Sequence, residues 1–296
     1  MPSLKDLRNR ISSVKSTKKI TSAMKMVAAA KLKKAQDNAI AARPYAERMS
    51  KIISSLKKNS NFSSDSPSLI TGTGINKKVL LLVCSADRGL CGGFNSSIIK
   101  YTNKIVKKYK TEGKEVKFIF IGKKAKNALI KQYKNDIVEF FTDVASPEVD
   151  FEQVKKIRNL IIENFNKSVF DRCEIVYTKF LSAISQEVKM DQLVPLNNES
   201  ERFSDEKEVS NALVYDFEPS EEEILESIVP ENLAMQILTG LLESTASEHG
   251  SRMTAMDNAT RNANDKIDDL TMFYNRSRQA VITKELIEII SGAEAI

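Results

Sequence analysis

The chain has 296 residues, which is room for one or two domains. It is 42% apolar and 28% charged with 7 Pro, which excludes a disordered chain, and it has no apolar run of about 18 residues that could cross a membrane as a helix. One His, no Trp and three Cys without a CxxC leave little material for zinc or Ser-His chemistry, so no cofactor or metal is expected and a reducing cytosol fits. The net charge of +6 hides a polarity: residues 1–60 are net +12, residues 61–196 net +7 and residues 197–296 net −13. A basic start and an acidic end suit two terminal segments that face each other.

The first segment reads as one long helix over about residues 3–57. Ser3 with Asp6 three residues on can cap its start. Leu4, Leu7, Ile11 and Val14 recur at the 3-4-3 spacing of a coiled-coil seam, and Ile20, Met24, Val27 and Leu32 carry an apolar stripe onward. Ala28-Ala29-Ala30 is strongly helix-forming, and Pro44 is expected to kink the helix without ending it, because Ile52, Ile53 and Leu56 resume the pattern. The Ser-, Asn- and Gly-rich stretch over 59–76 ends it.

The second segment alternates. Strands are expected at Val79–Cys84, Val116–Ile121 and Ile137–Phe141, with helices at Asn95–Lys110, Lys123–Tyr133 and Phe151–Phe170. Glu174–Phe180 and Val188–Leu196 read as later strands, joined in a hairpin arrangement with Leu213–Phe217 at an antiparallel edge. Strand–helix alternation implies a mostly parallel sheet covered on both faces. The third segment is helical. Ser220 and Glu223 form a capping box, Pro230 falls early, and an apolar pattern runs from Leu233 to Ile290, interrupted only by Gly240 and Gly250 before Gly292. The fold class is therefore α/β: a long antiparallel coiled coil of the N- and C-terminal helices (1–58 and 220–292) with an inserted Rossmann-like α/β domain (77–217).

The last helix is longer than the first by about 15 residues, so its tip should project roughly 20–25 Å beyond Met1. Val281, Ile282, Leu286, Ile287, Ile289 and Ile290 cover most of that tip, with Lys284, Glu285 and Glu288 as the one polar strip. A free spike that apolar would aggregate, so a sleeve of other subunits is implied. Just before it, Asn275-Arg276-Ser277-Arg278-Gln279 supplies hydrogen-bond donors suited to carboxylates on such a sleeve.

Gly89-Leu90-Cys91-Gly92-Gly93-Phe94-Asn95 stands where a phosphate loop would, after a strand and before a helix. It matches neither GxGxxG nor GxxxxGK[ST], so a tight packing turn is the plainer reading, with Asp87-Arg88 as a turn-stabilising or interface pair. His249 is read as partner-facing or solvated, and Cys84 and Cys91 as buried. The lysines at 15, 18, 19, 25, 31, 33 and 34 could bind nucleic acid, but no aromatics interleave them and the pairing helix is acidic.

Four blocks in order, Ile11–Ala29, Ser85–Asn95, Ser247–Thr260 and Tyr274–Ala293, resemble the gamma subunit of F-type ATP synthase. The resemblance implies a central rotor stalk with no active site of its own. Its partners would be the alpha and beta subunits, the epsilon subunit and the c-ring, with no nucleic acid. It implies beta-subunit contacts at Met24, Lys25, Arg278, Gln279 and Thr283. It also implies a tip inside the hexamer bore at Ile282, Leu286, Ile289 and Ile290, and a c-ring and epsilon foot at Tyr215, Phe217 and Glu218. No inserted Cys pair stands in the second segment, so thiol regulation of the plant type is not expected; with no transit-peptide pattern, a bacterial source is expected, at the cytoplasmic face of the inner membrane and peripheral to it through the complex. The alternative is a nucleotide-dependent α/β enzyme using Gly89–Asn95; a coiled-coil nucleic-acid binder is the third reading.

Overall fold

The computed structural model describes residues 3–59, 68–196 and 221–294, which fall into two compact units, Met1–Ala29 with Arg252–Ile296, and Ala30–Ser251. Two long helices run through both units: α1 (Leu4–Asn59) and α6 (Glu221–Glu294), each with a proline, Pro44 or Pro230, inside it.

In the first unit α1 begins with the expected reciprocal cap. Asp6 N–H donates to Ser3 Oγ (3.1 Å), and Ser3 N–H donates to Asp6 Oδ2 (3.3 Å). The helices are antiparallel: Arg8 meets the Tyr274 hydroxyl, Thr21 meets Thr260, and Lys25 meets Asp257, so numbers rise on one as they fall on the other. Burial on α6 follows a 4-3 rhythm through Met256, Thr260, Ala263, Ile267, Leu270, Tyr274 and Ser277.

The seam of α1 differs from the stripe expected beyond Val14. Ile20 and Val27 are 60% and 57% exposed, whereas Thr21 and Ala28 beside them are buried. Counting 4-3 from Leu7 gives Ile11, Val14, Lys18, Thr21, Lys25, Ala28, Leu32, Ala35, Ala39, Ala42, Ala46 and Met49. Every one is buried or half-buried except Lys25, which is held by Asp257. One heptad register therefore runs from Leu7 to Met49. Its middle is built from Thr and Ala, so the bulky residues lie out of step with it and a hydropathy reading follows the wrong face.

The second unit holds a five-stranded sheet in the order β3-β2-β1-β4-β5. The strands are β1 (Lys78–Cys84), β2 (Glu115–Ile121), β3 (Ile137–Phe141), β4 (Arg172–Phe180) and β5 (Gln186–Val194). The first four are parallel and β5 returns antiparallel along β4, as the alternation predicts. Helices α3 (Phe94–Thr111) and α4 (Lys123–Tyr133) cover Val79, Leu81, Val83, Phe118 and Phe120. Helix α5 (Phe151–Asn166) and the early part of α6 cover Leu80, Leu82, Ile119 and Ile121 on the other face. Alternate residues of one strand thus feed two cores.

Helix α5 stops at Asn166, four residues before its expected end. Ser168 adopts φ +55°, its N–H donates to the Phe165 carbonyl, and the Val169 N–H reaches the Asn164 carbonyl, turning the chain so that Phe170 packs on Phe165. A single helical turn, α2 (Ser68–Thr71), lies in the stretch expected to be loop. The expected strand Leu213–Phe217 and the Ser220 cap lie outside the described residues.

Gly122, after β2, is a position only glycine can hold. Its φ is +89°, and a Cβ there would lie 2.0 Å from the Ser85 carbonyl oxygen.

Candidate functional site

Three surfaces position the candidate groups. The first is the sheet's crevice. Chain connections leave β1 in one direction to β2 and reach β4 on the other side, so the topological switch point lies between β1 and β4. In open α/β sheets ligands bind at that point, beyond the strand C-termini. The loop after β1 is tied into the protein itself. Asp87 accepts from the N–H groups of Lys123 (3.2 Å) and Asp143 (3.0 Å), and the Asn95 side chain accepts from the Ala86 N–H (3.0 Å). Asp87 is thus the turn-stabilising residue expected.

The crevice is filled by α6. The Ser251 hydroxyl donates to the Cys91 carbonyl (2.7 Å), the Ser247 hydroxyl to the Thr178 carbonyl (3.0 Å), and the Phe180 N–H donates to the Glu243 carboxylate (2.8 Å). The two helix glycines make the approach possible: a Cβ at Gly240 would lie 2.8 Å from Ile175 Cδ1, and one at Gly250 would lie 3.2 Å from Phe180 Cε2. They read in the sequence as interruptions and are the contact points. His249 is buried here at 8% exposure, correcting the solvated or partner-facing reading. It lines a cavity of about 30 Å³ with Lys31, Lys34, Asn38, Pro147 and Glu148. Glu148 pairs with Lys34 and accepts from Asn38, and the Lys34 contact draws its carboxyl below the usual range. Cys84, Cys91 and Cys173 are all buried, and burial pushes the thiols of Cys84 and Cys173 up, away from reactive thiolate.

The second surface is the side of the coil in the first unit. Met24 is half-buried beside the seam, and Lys25 makes a 2.6 Å ion pair with Asp257. Exposed Ile20, Met26 and Val27 surround them. Asp257 also pairs with Arg261. Its hydrogen bond from Lys25, and then that from Arg261, holds its carboxyl below the usual range. The Lys25–Asp257 pair ties the basic helix to the acidic one. Apolar and small residues, with the Thr21–Thr260 hydrogen bond (2.8 Å), make the seam itself.

The third surface is the end of α6. Extending the Arg8–Tyr274 register, residues from about 281 onward have no α1 residue opposite. Arg278, Gln279 and Thr283 are exposed, and so are Ile282 (47%), Leu286 (53%), Ile289 (67%) and Ile290 (56%). Met24 and Lys25 therefore share one coil with Arg278, Gln279 and Thr283 but lie about 30–40 Å from them along it, at ~1.5 Å per residue. Tyr215, Phe217 and Glu218 lie outside the described residues. Ile20 and Val27, expected on the apolar stripe, face outward, and an unbroken 4-3 count from Leu7 separates them from the seam.

The family model described as ATP synthase matches residues 3–296. Over the full length of both chains, the protein is 51% identical to the ATP synthase gamma chain of Paramagnetospirillum magneticum and 48% identical to that of Rhodospirillum rubrum. Among solved structures it resembles a chain of the Euglena gracilis mitochondrial ATP synthase (TM-score 0.67, 20% identity, 99% of this chain and 94% of that one). It also resembles a chain of the Tetrahymena thermophila central stalk and c-ring (TM-score 0.60, 24% identity, 81% and 99%). At those identities the structural likeness speaks to the fold.

Proposed function

The chain belongs to the ATP synthase gamma-chain family, and from that premise we propose that it is the rotating shaft of its complex, turned by the c-ring and turning within a hexamer of alpha and beta subunits. The observation that carries this reading is the end of α6, where six large apolar residues from Val281 to Ile290 stand 40–67% exposed on a helix with no partner opposite. Such a surface suits the bore of a surrounding sleeve, where greasy contacts permit sliding.

The chain does no chemistry itself. The shaft changes the relative affinities of beta sites as its contact surface passes each one, a coupling free energy between distant sites. In this reading Met24 and Lys25 meet one part of a beta subunit and Arg278, Gln279 and Thr283 another. Ile282, Leu286, Ile289 and Ile290 fill the bore, while Tyr215, Phe217 and Glu218 stand at the c-ring and epsilon foot. Residues 1–58 and 220–292 are the shaft and 77–217 the body. The complex holds the chain at the cytoplasmic face of the inner membrane; no described helix is long and apolar enough to cross a membrane.

The nucleotide-enzyme alternative loses its site, because α6 occupies the crevice that a nucleotide would use. Purification of the native complex tests the proposal: alpha and beta subunits are expected to come with this chain. Deleting residues 282–296 is expected to abolish most coupled ATP synthesis. Purification free of both subunits, or full synthesis after the deletion, would overturn it.

A further inference from the structure

A shaft needs a joint where the α/β body drives it, and the contacts within the second unit are uneven. Among the described residues, helix α1 meets the body through polar side chains at Glu148, which Lys34 and Asn38 hold. Helix α6 meets it at several. Arg158 of α5 pairs with Glu231, Gly240 lies on Ile175, and Glu243 takes the Phe180 N–H. Ser247 and Ser251 then donate to the carbonyls of Thr178 and Cys91, and Gly250 lies on Phe180 and Ala183.

Three of these bonds reach backbone atoms. A side chain can swing to another rotamer under load, whereas the Phe180 N–H and the Thr178 and Cys91 carbonyls move only with the sheet and its loops. They also fall at the switch-point crevice, where the fold elsewhere leaves room for a ligand. We propose that residues Gly240–Ser251 of α6 form a non-slipping key in that crevice. Glu243, Ser247 and Ser251 are its positioning residues, and torque enters the coil through α6 more than through α1. The key rests on the rotor reading above. It assigns a mechanical role to residues outside the proposed set of beta-subunit contacts.

The test uses the whole ATP synthase in inverted membrane vesicles. ATP hydrolysis and ATP-driven proton pumping are measured per assembled complex. The triple variant Glu243→Ala, Ser247→Ala, Ser251→Ala is expected to hydrolyse ATP within two-fold of the parent but to pump at least two-fold fewer protons per ATP against a gradient. Glu243→Gln keeps an acceptor oxygen for the Phe180 N–H and is expected to pump as the parent does. Gly250→Val drives a branched side chain against Phe180 and Ala183 and is expected to reproduce the triple variant's uncoupling. Unchanged protons per ATP in the triple variant overturns the key. So does an equal fall of hydrolysis and pumping per assembled complex, since that marks a role in coil shape and not in torque. Alpha and beta subunits absent from the parent preparation would instead overturn the rotor reading, which keeps the two failures apart.

Discussion

At the scale of single residues, the buried ionisable groups explain most. Glu174 is fully buried on β4, where the Tyr109 hydroxyl donates to it (2.6 Å) and Arg172 pairs with it (2.6 Å). Burial, and then the bond to Glu174, raises the Tyr109 hydroxyl well above its ordinary value, so it stays a donor at any working pH. Arg172→Ala leaves a buried carboxylate unpaired and is expected to cost about 3–5 kcal/mol. Tyr109→Phe removes one charge-assisted hydrogen bond and is expected to cost about 1.5–3 kcal/mol. Urea unfolding of the two variants checks both, and an Arg172→Ala midpoint equal to the parent's would count against the buried pair. Asp257 gives a pH signature. Its folded carboxyl is held below the ordinary aspartate value by Lys25 and Arg261, so its contribution is present above that value. It is lost as pH falls through the depressed one. The thermal midpoints of the parent and Asp257→Asn are expected to differ at neutral pH and converge in acid. None of this was legible in the sequence, because Glu174 and Arg172 sit two residues apart on a strand and nothing in their spacing announces burial.

At the scale of elements, the described strands and helices of the α/β body were legible to within about two residues, apart from the end of α5 and the short α2. Helix Lys123–Tyr133 and strand Ile137–Phe141 fall where the apolar runs and their bounding Gly and polar residues place them. Strong periodic burial on both faces of a sheet leaves a clear trace in the order of residues. The coil did not, since its register is carried by Thr21, Ala28 and Ala35, which hydropathy does not distinguish from surface. The register makes a paired prediction. Ala28→Leu overpacks the seam and is expected to cost about 1–3 kcal/mol, while Val27→Ala next to it, on the outer face, is expected to change stability by less than about 0.5 kcal/mol. Thermal unfolding followed by circular dichroism decides it: the reverse order would mean that the stripe through Ile20 and Val27 is the true seam. The key in the crevice was hidden for a related reason. Gly240 and Gly250 look like weak points in a helix until the sheet they touch is present.

At the scale of the whole molecule, an outer apolar surface on the coil and a bare apolar end on α6 call for surroundings that the chain does not supply. Met24→Lys adds a charge on the coil beside Ile20 and Val27. In the assembled complex it is expected to lower protons pumped per ATP while leaving this chain's own unfolding free energy within about 0.5 kcal/mol of the parent, since Met24 is only half-buried. Parallel pumping and unfolding measurements separate the two effects, and unchanged pumping would remove Met24 from the contact surface. The end of α6 could be read from the sequence because its apolar residues run almost all round the helix, a pattern no two-helix pairing uses up. The unbroken seven-residue repeat has one more consequence. A strict heptad on 3.6-residue helices winds the pair into a left-handed supercoil. Torque of one sense tightens that winding and presses Leu7, Ala28, Met256 and Ala263 into their neighbours, while torque of the other sense loosens it. A rope laid in one direction resists twist unequally, so the paired stretch is expected to yield less to torque in its tightening sense than to torque in the other.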